Sequence, residues 1–261
     1  MTDSATTAVR TTLITGAASG IGAATAGLLA RHGHRLVLAD INGEHLERVA
    51  DDARASAPKG ADIVTVVSDV SDENAAASAV DAGYRAFGSI DGLVTSAAVM
   101  ISKPLTETTL DDWNALQAVN VTGVFLICRE FIRRLIETKG SGAIVNLSSI
   151  SGTVALPNQA AYCASKGAVA QLTRQIAVEY AASGIRANVV SPGTVETRQL
   201  ATYLASQPDP DAARRALYAA HPIGRVGEAS EVASAIAFLL GPDSSFVTGA
   251  ALAVDGGYTS I

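Results

Sequence analysis

Thr15-Gly16-Ala17-Ala18-Ser19-Gly20-Ile21-Gly22 follows an apolar run, Thr11–Thr15, and opens a stretch of helical periodicity over residues 21–32. Glycine lets a backbone turn tightly, and a helix N-terminus presents unpaired N–H groups at the positive end of a dipole. A strand, a glycine-rich turn and a helix in that order make a cradle for a pyrophosphate. Tight strand–helix turns also use glycine for purely structural reasons, so the surroundings must decide.

Outward from this turn, short apolar runs at 35–39, 63–67, 92–96, 143–147, 187–191 and 251–254 alternate with helical patterns at 43–56, 72–87, 111–138, 162–182 and 229–240. Several runs are continuous rather than alternating, as strands buried on both faces of a parallel sheet require. The alternation predicts an α/β, Rossmann-type fold: a doubly wound, mostly parallel, seven-stranded sheet with helices on both faces. No repeat or linker interrupts residues 1–261, which read as one domain. Residues 194–227, irregular and carrying Pro208, Pro210 and Pro222, are too long for an ordinary connection and predict a substrate-covering flap.

Composition removes several function classes. The 261 residues are 48% hydrophobic, which excludes disorder, and carry 19 basic against 25 acidic side chains, a net charge of −6. An acidic balance without basic runs leaves nucleic acid out as a partner. The first ten residues are polar, and apolar stretches such as 233–240 fall short of the roughly 20 residues of a membrane helix, so no membrane is expected. Cys128 and Cys163 lie far apart and read as reduced thiols of a cytoplasmic protein. His32, His34, His45 and His221 show no metal spacing and read as surface or internally satisfied histidines, so no metal is expected. Arg133-Arg134 and Arg214-Arg215 read as solvated faces or interface contacts. Of the four lysines, Lys59, Lys103 and Lys139 fall in expected loops or helix ends, which leaves Lys166.

Asp40 ends the second run at the distance from the glycine turn where an acidic residue meets the adenosine ribose. It has two readings. It could cap the helix beginning near Asn42, or its carboxylate could accept hydrogen bonds from the ribose hydroxyls and repel a 2′-phosphate. Ser19 and Ile41 offer that phosphate no cation, so the cofactor expected is NAD(H) rather than NADP(H).

Tyr162-Cys163-Ala164-Ser165-Lys166 puts a phenol and an ammonium on one helix face. A free tyrosine, with a pKa of about 10, is no base at neutral pH, and bringing it near 7 takes about 4 kcal/mol in favour of the phenolate. One ammonium 6 Å away supplies about 3 kcal/mol at an effective dielectric of 20. An oxidised nicotinamide nearby could supply the rest.

The glycine turn, Asp40, Asn120, Ser149, Tyr162 and Lys166, in this order and spacing, resemble the short-chain dehydrogenase/reductase family. The resemblance runs from Arg10 to Asp255-Gly256-Gly257-Tyr258 and includes Asp69-Val70, Asn120-Val121, Asn146-Leu147-Ser148-Ser149 and Pro192-Gly193-Thr194-Val195-Glu196-Thr197. It implies that Tyr162 is the general acid/base, and that Lys166 lowers its pKa and holds the nicotinamide ribose. Ser149 would steady the substrate oxygen, with Ser148 the competing assignment, and Asn120 would hold a relay water. The alternative for Asn120 is a helix amide bonded to backbone. Gly16, Ser19, Gly20, Ile21 and Gly22 would cradle the pyrophosphate, Asp69 and Val70 would face the adenine, and Ser96, Ala97 and Ala98 would line the cofactor. Pro192, Gly193, Val195 and Thr197 would meet the nicotinamide end. The family also implies a homotetramer.

One motif departs from the family. Thr95-Ser96-Ala97-Ala98 stands where Asn-Asn-Ala-Gly is usual, so Thr95 offers only a hydroxyl to tie neighbouring strands, and Ala98 is harmless only at negative φ. The reading implied is hydride transfer between NAD(H) and a secondary alcohol or ketone. An NADPH-dependent carbonyl or 3-oxoacyl thioester reductase would share every catalytic residue, and Asp40 weighs against it. A non-catalytic NAD(H)-sensing regulator is the alternative from another class, and the intact Ser149, Tyr162 and Lys166 weigh against that. Residues 99–103, 151–157 and the flap would line a substrate pocket tilted apolar by Val99, Met100, Val154 and Leu156, with Arg198 available to a carboxylate.

Overall fold

The computed structural model describes residues 9–57, 62–205 and 207–260, so the expectations for the first eight residues and for Lys59 lie outside it. β1 (Thr11–Thr15) is buried along its whole length, as a strand covered on both faces must be. There follow α1 (Gly20–Arg31), β2 (Arg35–Asp40), α2 (Gly43–Ser56), β3 (Ile63–Val67), α3 (Glu73–Phe87), β4 (Gly92–Thr95), α4 (Leu110–Gln117), α5 (Gly123–Glu137), β5 (Gly142–Leu147), α6 (Ala160–Tyr180) and β6 (Ile185–Pro192). β7 (Val195–Glu196), α7 (Arg198–Ala205), α8 (Pro210–Ala219), β8 (Gly227–Glu228), α9 (Ala229–Leu240) and β9 (Ala251–Val254) complete the order.

Seven strands pair in the order β3-β2-β1-β4-β5-β6-β9, every pair parallel. The order reverses between β1 and β4, whose C-terminal residues Thr15 and Thr95 are paired, and such a switch point opens a crevice for a ligand. Leu29, Leu46, Ile236 and Leu239 seal one face of the sheet. Val80, Ile127, Phe131, Val169 and Ile176 seal the other.

Two expectations are corrected. The helical pattern over 111–138 is broken by a π-helical turn, Ala118–Thr122, whose signature is the Gly123 N–H donating to the Ala118 carbonyl. The region 194–227 is not irregular: it holds α7, α8 and a two-strand parallel pair, β7 with β8, around Leu200, Leu204 and Val226. Pro210 misleads because it occupies the first turn of α8, where a missing N–H costs nothing, behind an Asp209 cap that accepts from Ala212 N.

The continuous run Leu110–Glu137 is long and apolar enough to cross a membrane by length and composition, yet 56% of its apolar window is buried inside the protein. Its apolar face packs on the sheet. Lys103 pairs with Asp112 at 2.7 Å, and Lys139 turns the chain after α5 with φ 53°.

Candidate active site

Gly16 and Gly22 make the first turn possible. Gly16 has φ 67°, and a Cβ there would sit 2.4 Å from the Ala97 nitrogen; one on Gly22 would sit 2.1 Å from the Gly16 carbonyl oxygen. No side chain fits either place, so the backbone itself forms the cradle. Ser19, the extended N-cap of α1 with φ −160° and ψ 169°, makes no side-chain cap bond, and the first-turn N–H groups of Gly20, Ile21 and Gly22 have no partner within the helix. A pyrophosphate fits this arrangement.

Asp40 is tied to that turn. Its Oδ2 accepts from Ala18 N at 3.0 Å and its Oδ1 from Asn42 N at 2.9 Å. The cap of α2 is Asn42, which accepts from His45 N at 3.1 Å, so the capping reading of Asp40 does not hold. Each Asp40 oxygen keeps a lone pair for a ligand hydroxyl. Asp69 accepts from both the hydroxyl and the N–H of Ser71, which hold its carboxyl below the usual range. Val70 is buried against Gly123, where a Cβ would lie 2.8 Å from Val70 Cγ2.

The departure at 95–98 is accommodated. Thr95 Oγ1 donates to Asn146 Oδ1 at 2.8 Å, joining β4 to β5, and Asn146 Nδ2 continues to Thr173 Oγ1 at 2.9 Å. Ser96 N donates to the Thr15 carbonyl at 3.1 Å. Among the described residues, positive φ outside glycine occurs only at Lys139 and Asn158, so Ala98 carries no such strain.

At the end of β5 the two serines separate. Ser148 Oγ is buried and donates to the Lys166 carbonyl at 2.8 Å, which commits it to the backbone of α6. Ser149 Oγ accepts from Ser151 N at 3.2 Å, donates to Ser151 Oγ at 3.3 Å and bonds the Tyr162 phenol. Lys166 Nζ donates to the Leu147 carbonyl at 2.9 Å and stands 5.5 Å from the centroid of the Tyr162 ring.

Burial rules both titrations. It pulls the Lys166 ammonium down to about 8 and pushes the Tyr162 phenol up to about 12, against the bond from Ser149. Tyr162 is half-buried and keeps a face open to the cleft, which tempers the second shift. From the sequence, Lys166 supplies only part of the lowering and an oxidised nicotinamide the rest.

Asn120 lies in the π turn, buried. Its Oδ1 accepts from Val99 N at 2.8 Å, and its Nδ2 donates to the Val99 carbonyl at 2.9 Å and to Ser165 Oγ at 3.2 Å. The amide is spent on the 99–103 loop and on α6, the alternative weighed from the sequence. π turns within helices recur at functional sites because they re-aim a side chain.

Of the two readings open to His221, surface or internally satisfied, the second holds. Its buried ring accepts from Thr194 N at 3.1 Å, donates to the Leu217 carbonyl at 2.7 Å and meets Tyr258 edge-on at 5.2 Å between centroids. This pins the start of 194–227 to its far end beside Gly193, where a Cβ would lie 2.8 Å from His221 Nε2. Pro192 ends β6 and Val195 is buried in β7. Thr197 stands over the glycine turn, its Cγ2 3.5 Å from where a Gly20 Cβ would be. Arg133 pairs with Glu130, Arg134 with Asp81 and Arg214 with Glu196, while Arg198 is exposed. A cavity of about 360 Å³ lined by Arg10, Asp91 and Arg186 opens at the N-terminal ends of β1, β4 and β6, away from these groups.

A family model described as enoyl-(acyl carrier protein) reductase matches residues 16–259. Over 255 residues the chain is 45% identical to cis-4-hydroxycyclohexanecarboxylate dehydrogenase of Sinomonas cyclohexanicum, covering 97% of this chain and 98% of that one. NAD+-bound xylitol dehydrogenase superposes with a TM-score of 0.88 at 35% identity, covering 95% and 98%. ElxO with NADP bound superposes with a TM-score of 0.88 at 31% identity, covering 97% and 100%.

Proposed function

The chain belongs to the short-chain dehydrogenase/reductase family, and from that membership we propose that it oxidises a secondary alcohol with NAD, Tyr162 taking the hydroxyl proton. It is an oxidoreductase acting on CH–OH groups. The observation that carries the proposal is the convergence of Ser149, Tyr162 and Lys166 at the end of β5, beside a turn that no side chain can enter.

The substrate hydroxyl lies between Ser149 and Tyr162, and Ser149 turns its hydrogen from Ser151 toward the developing alkoxide. Lys166 uses one of its three donors on Leu147 and keeps the others for the phenolate and a ribose hydroxyl. When bound, the nicotinamide supplies the hydride acceptor and a positive charge. Asn120 acts by fixing Val99 and the register of α6. Gly16, Ser19, Gly20, Ile21 and Gly22 hold the pyrophosphate, Asp40 the adenosine ribose, and Asp69 and Val70 the adenine. Ser96, Ala97, Ala98, Pro192, Gly193, Val195 and Thr197 line the cofactor toward its nicotinamide end. Residues 194–227 close over the substrate.

NAD is preferred because Asp40, tied to the glycine turn through Ala18 N, places a negative charge at the end of β2, with Ile41 exposed beside it. The solved relatives carry either cofactor. Comparable kcat/KM with NADP would sink the preference. The substrate class extends from carboxylated cyclic alcohols to polyols, the span of the relatives' names. We place the chain in the cytoplasm, on its two free thiols. We also propose a homotetramer: α5 leaves Phe125 and Ile136 in solvent and the C-terminal segment leaves Phe246 and Leu252 there. A monomer at micromolar concentration in light scattering would overturn it.

The test is an alcohol panel followed by NADH absorbance, with Tyr162→Phe as the control. That variant keeps the ring and removes the proton carrier. Turnover should vanish while NADH binding persists, and substantial residual turnover would refute the assignment.

A further inference from the structure

Thr194 lies two residues past the end of β6, and its backbone is held on both sides by the far end of the segment it opens. Its N–H donates to His221 Nε2 at 3.1 Å, and its carbonyl accepts from Gly227 N at 2.9 Å. The second bond leads into the β7–β8 pair, where Val195 meets Gly227 and Glu196 meets Glu228. Gly193, just before, is wedged between the imidazole and β9: a Cβ on it would lie 2.8 Å from His221 Nε2 and 3.0 Å from Asp255 Cα.

The two partners fix the state of the ring. A backbone N–H only donates and a carbonyl only accepts, so Nε2 carries the lone pair and Nδ1 the hydrogen, which goes to the Leu217 carbonyl at 2.7 Å. Leu217 is in the last turn of α8. The His221 N–H, due for that carbonyl in a continued helix, goes to the Tyr218 carbonyl at 3.2 Å, so the side chain satisfies what the backbone leaves open. One buried ring thus joins the end of α8 to the stretch from which Val195 and Thr197 run toward the glycine turn. Thr197 Cγ2 there lies 3.5 Å from a Cβ placed on Gly20.

We infer that His221 is a positioning residue for the cofactor. Its Nε2 lone pair sets the Thr194 backbone, and through it Val195 and Thr197, against the nicotinamide end, while Nδ1 ties that placement to α8. This rests on the dinucleotide reading above. A purely structural support is indifferent to which of its two bonds is lost. A positioning residue is not, because only the bond to Thr194 leads to the cofactor.

Two amides separate the bonds. Nδ1 stands two bonds from Cβ and Nε2 three, so His221→Asn keeps a donor for Leu217 and loses the acceptor of Thr194, whereas His221→Gln keeps the acceptor and loses the donor. Each gives up one buried bond, so both should melt below the wild type by similar amounts in calorimetry. Fluorescence titration should find the Kd for NADH about tenfold higher in His221→Asn and within about twofold of the wild type in His221→Gln, with kcat on the panel's best alcohol falling in the same order. Equal changes in the two variants, or none in His221→Asn, would overturn the inference and leave His221 a support for α8. If His221→Asn does not fold, hydrogen exchange at the wild-type Thr194 amide decides. A bond that favours NADH binding is itself favoured by bound NADH, so exchange should slow on adding NADH, and an unchanged rate would overturn the inference. A wild type that binds NADH but turns over no alcohol of the panel would instead refute the dehydrogenase reading, with the titrations still deciding the role of His221.

Discussion

Replacing Lys166 by methionine separates two effects of one buried charge. The ammonium is 3% exposed, donates to the Leu147 carbonyl at 2.9 Å and stands 5.5 Å from the Tyr162 ring centroid. At an effective dielectric of about 20, a unit charge at that distance favours the phenolate by about 3 kcal/mol. That is about a hundredfold in the fraction of base at a pH below the tyrosine titration. Lys166 is itself held down to about 8 by burial. In the ternary complex the rise of kcat/KM for oxidation with pH should move upward by about two pH units in Lys166→Met.

The same variant has a stability signature. The folded state binds the lysine proton less tightly than the unfolded chain, at about 8 against 10.5, so stability rises with pH between those values. Below pH 8 the wild type carries the full penalty of burying the charge, about 3 kcal/mol, and the methionine carries none. Loss of the bond to Leu147 returns about 1 kcal/mol of it. Lys166→Met should therefore melt above the wild type at pH 7, by about 5 °C, with the gap closing above pH 10. Calorimetry and the pH–rate profile are read on one preparation. A variant that melts higher but keeps the wild-type midpoint for oxidation would refute the electrostatic role and leave Lys166 only a ribose ligand.

Two further substitutions test other parts of the site. Asp40→Ser removes the acceptor of Ala18 N and the charge facing the ribose; KM for NAD should rise at least tenfold and discrimination against NADP should shrink, as initial rates with each cofactor would report. Thr95→Val leaves Asn146 Oδ1 without its buried cross-strand donor and should cost about 2 kcal/mol in urea unfolding, with KM for the alcohol unchanged.

The sheet was legible because continuous apolar runs have few other uses, and Thr11–Thr15 is buried over every residue. Asp40 and Tyr162 with Lys166 were legible because each needs only a spacing along one element. What escaped depends on contacts between elements. Nothing in the residues 111–138 marks an extra residue in the helix, and the π turn appears only where Asn120 must reach Val99 and Ser165. Pro208 and Pro210 read as loop signals in a region whose helices are held by Arg214 on Glu196 and by His221 on Thr194, pairings 18 and 27 residues apart.

The protonation states show the same division most sharply. Helical spacing places an ammonium beside a phenol and so argues for a lowered tyrosine pKa. Burial, which no spacing encodes, acts on both groups and in opposite directions, bringing the lysine to about 8 and the phenol to about 12. The pair then favours a neutral phenol until another positive charge enters the cleft. On that argument the chain withholds its base until the oxidised cofactor is bound, and free Tyr162 should show no phenolate absorbance at pH 9.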